Sequence, residues 1–362
     1  MKVFLTFGNN VRNAFLHDIL FDGDAIINSF TIQKHREVVM CTAITYKTKD
    51  HYFGRTLDLE YTYDERVTVT PRRFRFRFRN GKTIENHYAI IGMATVVDNY
   101  PLYYEAANEC GLSMAGLNFP GNACYFPTVE GKDNITPFEF IPWILAQCKN
   151  LAEARRLLEN LNLWDVNFSE RFPLSPLHWM IADREGAITV ESVKEGLKIY
   201  DNPVGVLTNN PAFDYHMTHL CDYINLTAKA PENRFGAVAL TTYSRGMGAM
   251  GLPGDLSSAS RFVRAAFVKL NSVAGESENE SISQFFHILG AVEQQKGCVI
   301  LPDGSFELTA YTSCINTDKG IYYYTTYENN CISAVDMHRC NLEGTEPVLY
   351  ALKKTQQIGW QN

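Results

Sequence analysis

The chain has little that would tie it to a lipid bilayer, a nucleic acid or a metal. No stretch approaches 18 uninterrupted apolar residues, which argues against a membrane-spanning helix. Positive charge is in deficit, with Lys+Arg 33 against Asp+Glu 40 and a net charge of −7, so nucleic-acid binding has no electrostatic support. Nine cysteines (41, 110, 124, 148, 221, 298, 314, 331 and 340) are odd in number, and none forms a C-x-x-C pair. A disulfide framework and a zinc site are therefore not expected, and a reducing, cytoplasmic compartment fits best. The sequons at Asn134, Asn167, Asn225 and Asn279 then read as chance matches. No repeat or low-complexity linker breaks the chain after residue 40. Hydrophobic content of 46% and charged content of 20% are those of an ordinary globular protein.

What is present begins at Met40-Cys41-Thr42-Ala43-Ile44-Thr45-Tyr46, which continues to Phe53-Gly54-Arg55-Thr56-Leu57-Asp58. The pattern predicts paired strands over 41–48 and 52–60, with a cysteine at the very start. A cysteine in a strand is ordinarily a small core residue. Here the strand that follows carries Arg55 and Asp58, charges that a core strand should not hold. An arginine beside a thiol favours the thiolate, and a carboxylate can hold an ammonium group. If Met40 is removed, Cys41 supplies a thiol nucleophile together with an α-amine whose ordinary pKa is about 7.7–8.0, suited to proton transfer. This is the logic of an N-terminal nucleophile hydrolase.

Residues 1–40 are expected to be an extension, and 41–362 a single catalytic domain. The opening MKVFLTF is a short apolar run followed by NNVRN, with no small-residue cleavage site. Arg36-Glu37-Val38 can be encoded AGG-GAG-GTN, a ribosome-binding sequence placed one codon before that of Met40. Translation is thus expected to start at Met40, with a cleaved propeptide as the alternative. With Met40 retained, the Cys41 nitrogen is acylated and the chain is expected to be inactive.

Downstream, strands are expected over 65–70, 73–79, 88–97 and 111–118. The run Arg73-Phe74-Arg75-Phe76-Arg77-Phe78-Arg79 has strict period 2, which puts phenylalanine on one face and arginine in solvent. Thr136-Pro137-Phe138-Glu139 is a capping box with proline at the first helical position, opening a helix over 137–148. A second helix follows over 151–161, then a hairpin from Leu177 to Val193 and strands near 196–207. Helices over 257–272 and 281–295 precede strands over 306–315, 320–327 and 331–337. This order argues an α+β layered domain.

Further motifs complete the pattern: Ala115-Gly116-Leu117-Asn118-Phe119-Pro120, Gly205-Val206-Leu207-Thr208-Asn209-Asn210-Pro211, and Gly251-Leu252-Pro253-Gly254-Asp255 leading to Ser260-Arg261-Phe262. With the MCT start and FGR-x-x-D, residues 40–362 resemble the choloylglycine hydrolase family, in its bile salt hydrolase branch. The resemblance implies a four-layer αββα sandwich of the N-terminal nucleophile hydrolase type. It implies Cys41 as nucleophile, Arg55 beside the thiol and Asp58 as the carboxylate at the α-amine. Asn118 and Asn209 would lie near the oxyanion, and Arg261 would organise charge around the nucleophile. Leu57, Val97, Phe168 and Phe172 fall where the family's acyl pocket lies.

The implied activity is hydrolysis of the amide between a bile acid and glycine or taurine through a Cys41 thioester, without metal or cofactor. The alternative is a penicillin V acylase or another N-acyl amidase of the family; Asn118 favours the bile salt branch, because acylases commonly carry tyrosine there. A homotetramer without membrane or nucleic-acid partners is the expected assembly. Read without the resemblance, Asn118 and Asn209 are turn formers at strand ends, and Arg261 is a helix surface charge. A papain-like enzyme would need His51, His87, His178, His216, His219 or His287 as base, and no spacing selects one. His178 and His287 read as core histidines, and the His216/His219 pair lacks a third metal ligand.

Overall fold

The computed structural model describes residues 40–60 and 62–362. The extension expected over residues 1–40 lies outside the described residues except for Met40. Among the described residues, two large antiparallel sheets carry the architecture. The first has the order β14 (Val206–Leu207), β1 (Met40–Lys47), β2 (His51–Leu59), β16 (Phe306–Asn316), β17 (Ile321–Thr326) and β18 (Asn329–Asp336), with β15 (Val299–Ile300) on β16. The second runs β13 (Gly196–Asp201), β12 (Gly186–Val193), β11 (Leu177–Asp183), β8 (Ser113–Asn118), β7 (Tyr100–Asn108), β6 (Ile90–Val97), β3 (Arg66–Thr70) and β19 (Val348–Ala351). Two small ladders stand apart: β4 (Phe76–Arg77) with β5 (Thr83–Ile84), and β9 (Asp133–Ile135) with β10 (Leu161–Leu163).

Helices α4 (Ser258–Asn271) and α5 (Glu278–Gly290) cover the first sheet, while α1 (Phe140–Gln147) and α2 (Leu151–Leu158) cover the second. One apolar core joins the facing sheets to α4 and α5 through Phe53, Met93, Leu117, Met180, Phe262 and Phe285. Another packs Phe140, Trp143, Ile144, Trp179 and Ile181 under α1. The layers are thus helices, sheet, sheet, helices, the expected αββα sandwich.

β2 is buried at every position from His51 to Leu59, because a sheet covers one face and helices the other. Its polar residues therefore point into two different interiors. Arg55 faces the second sheet, where it meets the Gly116 carbonyl. Thr56 and Asp58 face the helix side with Thr309 of β16 and Gln294. Gly54 lets β16 lie against β2, since a Cβ there would collide with the Ser313 carbonyl.

Several expectations need correction. The strand read over 73–79 reduces to Phe76–Arg77. Its alternation is real, with Phe74, Phe76 and Phe78 buried, but the backbone turns at both ends: Phe74 N–H bonds Pro71 O, and Phe78 N–H bonds Lys82 O. Burial of three rings held the period without a ladder. β7 was not foreseen, because Pro101, Glu105 and Asn108 interrupt its apolar pattern. Nor was the short helix α3 (Phe213–Leu220), whose N-cap is Ala212 with no capping side chain. Helix α5 starts earlier than read, at a Ser277/Glu280 capping box, and ends at Gly290.

Candidate active site

Cys41 enters the structure in β1, paired with Leu57 of β2, while Ala43 pairs with Arg55. That register puts the thiol and the guanidinium on one face, two positions apart across the ladder. Cys41 is 1% exposed, and Arg55 Nη2 donates to its sulfur. The rest of the guanidinium is fixed by carbonyls, with Nη1 on Gly116 O at 2.5 Å and Tyr104 O at 3.3 Å, and Nε on Thr56 O at 3.2 Å. A buried carboxylate balances the charge: Glu105 Oε2 lies 3.9 Å from Arg55 Nε and accepts from Tyr311 at 2.8 Å, and its Oε1 accepts from Tyr322 at 2.5 Å.

On the helix side the second arginine meets the same cysteine. Arg261, fully buried in α4, donates through Nη1 to Cys41 O and Thr42 Oγ1, both at 2.6 Å. Its Nη2 donates to Asn209 Oδ1 at 2.8 Å, and Cys41 N–H donates to that same oxygen, also at 2.8 Å. Asp58 lies on this side too, but its oxygens take neutral donors: Thr309 Oγ1 at 2.6 Å, Gln294 Nε2 at 3.5 Å and Thr56 Oγ1 at 3.5 Å. One residue before Cys41, Met40 N–H donates to Glu307 Oε1 at 2.7 Å.

Asn209 is held on every side. Its Nδ2 donates to Asn118 O at 2.8 Å and its N–H to Ser258 Oγ at 2.8 Å. Two buried histidines grip the same turn: His178 Nε2 meets Thr208 O at 2.9 Å, and His216 Nε2 meets Asn209 O at 2.9 Å. His178 Nδ1 lies 3.0 Å from Glu191 Oε1. A carbonyl cannot donate, so His178 Nε2 carries the proton that bonds Thr208 O. Asn118, at the end of β8, contributes its backbone N–H toward the Cys41 sulfur.

Electrostatics follow burial first. Burial pushes the Cys41 thiol up, Arg55 pulls it down, Asp58 pushes it up again and Arg261 pulls it down. Burial outweighs Arg261, Thr309 and Arg55 at Asp58, whose carboxyl is pushed up to about 6. Glu307 is pushed up to about 8 by burial, against the Met40 N–H, with Asp58 adding to the rise. Burial opposes the charge on Arg55, yet Cys41, Tyr311 and Glu105 together strengthen it. A sulfur held against a permanent cation, with the Asn118 backbone N–H close by, is equipped to attack a carbonyl carbon. No group of His, Cys, Asp and Glu among the described residues is arranged to hold a metal ion.

Of the residues expected in the acyl pocket, Leu57 stands opposite Cys41 in the β1–β2 ladder. Val97 pairs with Tyr100, whose ring lies 6.0 Å from Phe168, and Phe168 lies 6.3 Å from Phe172. Arg79 covers this aromatic group, 5.6 Å from the Phe168 ring. Sequence reasoning missed Glu105, Thr309, Gln294 and Glu307. A single acid inside an apolar strand, as in Tyr103-Tyr104-Glu105-Ala106-Ala107, was the available signal for Glu105.

The profile of the linear amide C–N hydrolases, choloylglycine hydrolase family, matches residues 41–350. A "Bile salt hydrolase/transferase" of Lactiplantibacillus plantarum is 55% identical over 88% of this chain and 98% of its own length. A protein of the same description from Clostridium perfringens is 42% identical over 89% of this chain and 100% of its own. Among solved structures, a mutant conjugated bile acid hydrolase from Clostridium perfringens superimposes with a TM-score of 0.83 at 41% identity, covering 89% of this chain and 100% of that one. A penicillin V acylase from Agrobacterium tumefaciens shares the fold, with a TM-score of 0.66 at 18% identity over 89% of this chain and 100% of its own.

Proposed function

Because the chain belongs to the choloylglycine hydrolase family and is a hydrolase of linear amide C–N bonds, we propose that it cleaves conjugated bile salts into bile acid and glycine or taurine. The observation that carries this reading is the 55% identity, over 98% of its length, to a protein named as a bile salt hydrolase/transferase. The active form is the chain with Cys41 as its first residue; its nearly full-length match to that relative supports folding without residues 1–39. A cytoplasmic homotetramer is the assembly we infer, and the exposed Ile224, Phe235 and Tyr243 support association.

In this reading the α-amine takes the thiol proton and the Cys41 sulfur attacks the amide carbon. Arg55 supports the thiolate, Arg261 and Asn209 orient the residue, and Asp58 faces the ammonium. Backbone N–H of Asn118 supports the tetrahedral oxyanion; one such donor is worth about 2.7–4 kcal/mol in other enzymes. The ammonium returns its proton to the departing nitrogen as the C–N bond breaks, leaving a thioester. Water then attacks the thioester, losing its proton to the amine, and releases the acid and the thiol. An amine in place of water would instead give acyl transfer, in keeping with the relative's double name. Leu57 at the sulfur and the Val97, Phe168 and Phe172 group suit an apolar acyl portion, which fits a steroid.

The test is amino-acid release from glycocholate and taurocholate, with penicillin V alongside, by protein expressed from Met40 and shown by mass spectrometry to begin at Cys41. Release of glycine or taurine is expected. Cleavage of penicillin V alone would move the chain to the acylase branch and overturn the proposal.

A further inference from the structure

We propose that Glu307 is a second carboxyl group, beside Asp58, that receives the α-ammonium of Cys41 once Met40 is gone, and so sets the pH at which that amine becomes a free base. The inference rests on the reading that Cys41 becomes the first residue, but not on the identity of the substrate.

The argument starts from one contact. Glu307 is 1% exposed, and its carboxylate lies 2.7 Å from the backbone nitrogen of the residue that precedes the nucleophile. It sits two residues from Thr309 on β16, hence on the same face, and Thr309 holds Asp58. The two carboxyl groups therefore flank the entry of β1 from the helix side. Consecutive Cα atoms are only about 3.8 Å apart, so a group that bonds Met40 N is within direct or one-water reach of Cys41 N.

Charge balance points the same way. The charged groups acting on Cys41 are Arg55 and Asp58 from β2 and Arg261 from α4; behind them stand Glu105 from β7 at Arg55, and Glu307 from β16 with Glu60 beyond the end of β2. Arg55 is matched by Glu105 on the sheet side. On the helix side Asp58 and Glu307 both feel the Arg261 guanidinium, whose hydrogen bonds go to Cys41 O, Thr42, Asn209 and Leu256. While Met40 is attached, the two buried carboxyls share the Arg261 guanidinium, and neither hydrogen-bonds it. Burial pushes Glu307 up to about 8, and the neighbouring Asp58 adds to the rise. Freeing the Cys41 nitrogen replaces one amide N–H by an ammonium with three. Asn209 Oδ1 already takes one. The ammonium adds a cation beside the two carboxylates, the kind of pairing that buried charges require.

Glu307 acts through the amine and is a positioning residue. Its test uses four proteins: the enzyme beginning at Cys41 and the chain beginning at residue 1, each with Glu307 and with Glu307→Gln. The readout is the pH midpoint of Cys41 alkylation by iodoacetamide, followed by mass spectrometry on the peptide that contains Cys41. No substrate enters, so failure here is distinct from failure of the bile salt reading. In the Cys41-first enzyme, removing the carboxylate weakens the ammonium and frees the base earlier, so the midpoint falls by about one pH unit. In the chain that retains Met40 the shift is less than a third of that. An unchanged midpoint in the Cys41-first enzyme, or an equal shift in both chains, overturns the proposal. Should Glu307→Gln fail to fold, the 15N titration of Cys41 in the unsubstituted Cys41-first enzyme decides. An α-amine above the ordinary value of about 7.7–8.0 supports the role, and one at or below it overturns it.

Discussion

Arg55 shows how much chemistry one side chain carries when it is fully enclosed. Its three nitrogens meet a sulfur and backbone carbonyls beside a carboxylate, a fork geometry that a lysine cannot reproduce. Arg55→Lys keeps the charge and the partner of Glu105 but loses the carbonyl anchors. The expected outcome is a Cys41 alkylation midpoint about one pH unit higher, because a less well-held cation stabilises the thiolate less. An unchanged midpoint in a folded variant would show that position does not matter and only charge does. At this scale the meeting of Cys41 and Arg55 was legible in the sequence, since the two share a hairpin whose register puts them on one face. Asn209 and Arg261, distant by 168 and 220 residues in hydrogen bonds to Cys41, needed the family resemblance. Glu105 and Glu307 were missed, because a lone acid gives no sign of which cation or amide it faces.

Elements position these groups through close approach and local caps. Gly54 lies immediately before Arg55, and only a residue without Cβ lets β16 run against β2 there. Gly54→Ala is expected to cost about 3 kcal/mol or more, since the collision is with backbone and cannot be relieved by a rotamer change. Differential scanning calorimetry checks it, with an unaltered thermal midpoint as the refuting result. Helix starts were readable where a side chain closes the cap: at Thr136, Glu139 accepts from both the backbone and the hydroxyl. Where no such chemistry exists, as at Ala212 before α3, the helix could not be foreseen. The arginine–phenylalanine run failed as a strand for the opposite reason. Its period reports which rings are buried, and burial alone does not supply a hydrogen-bonded neighbour.

Across the whole molecule, enclosing polar residues between layers sets how stability depends on pH. Burial holds His51 and His216 neutral, with pKa values lowered to about 4, although Asn209 O opposes this at His216 and Asp318 at His51. Both values lie below the ordinary 6.5, so the stability these residues contribute is complete above pH 6.5 and is lost as the pH falls towards 4. For His216, fully buried against Phe262, the loss is on the order of 2–3 kcal/mol. His216→Phe should therefore lose less of its thermal midpoint between pH 7 and pH 4.5 than the unsubstituted protein does, though it starts lower. Equal losses in the two proteins would refute the assignment.

The amino-acid order by itself determined the layered α+β class, the β1–β2 hairpin and the residues whose partners lie within a few positions. Those features rest on periodicity and short-range register, which the covalent chain enforces directly. Tertiary structure alone decided that Glu105 answers Arg55 across the sheets, that two histidines grip the Thr208–Asn209 turn, and that Glu307 faces the residue before Cys41. Such pairings join residues from different layers. They are selected only when packing removes water and leaves each buried charge or donor to find the partner that its new surroundings provide.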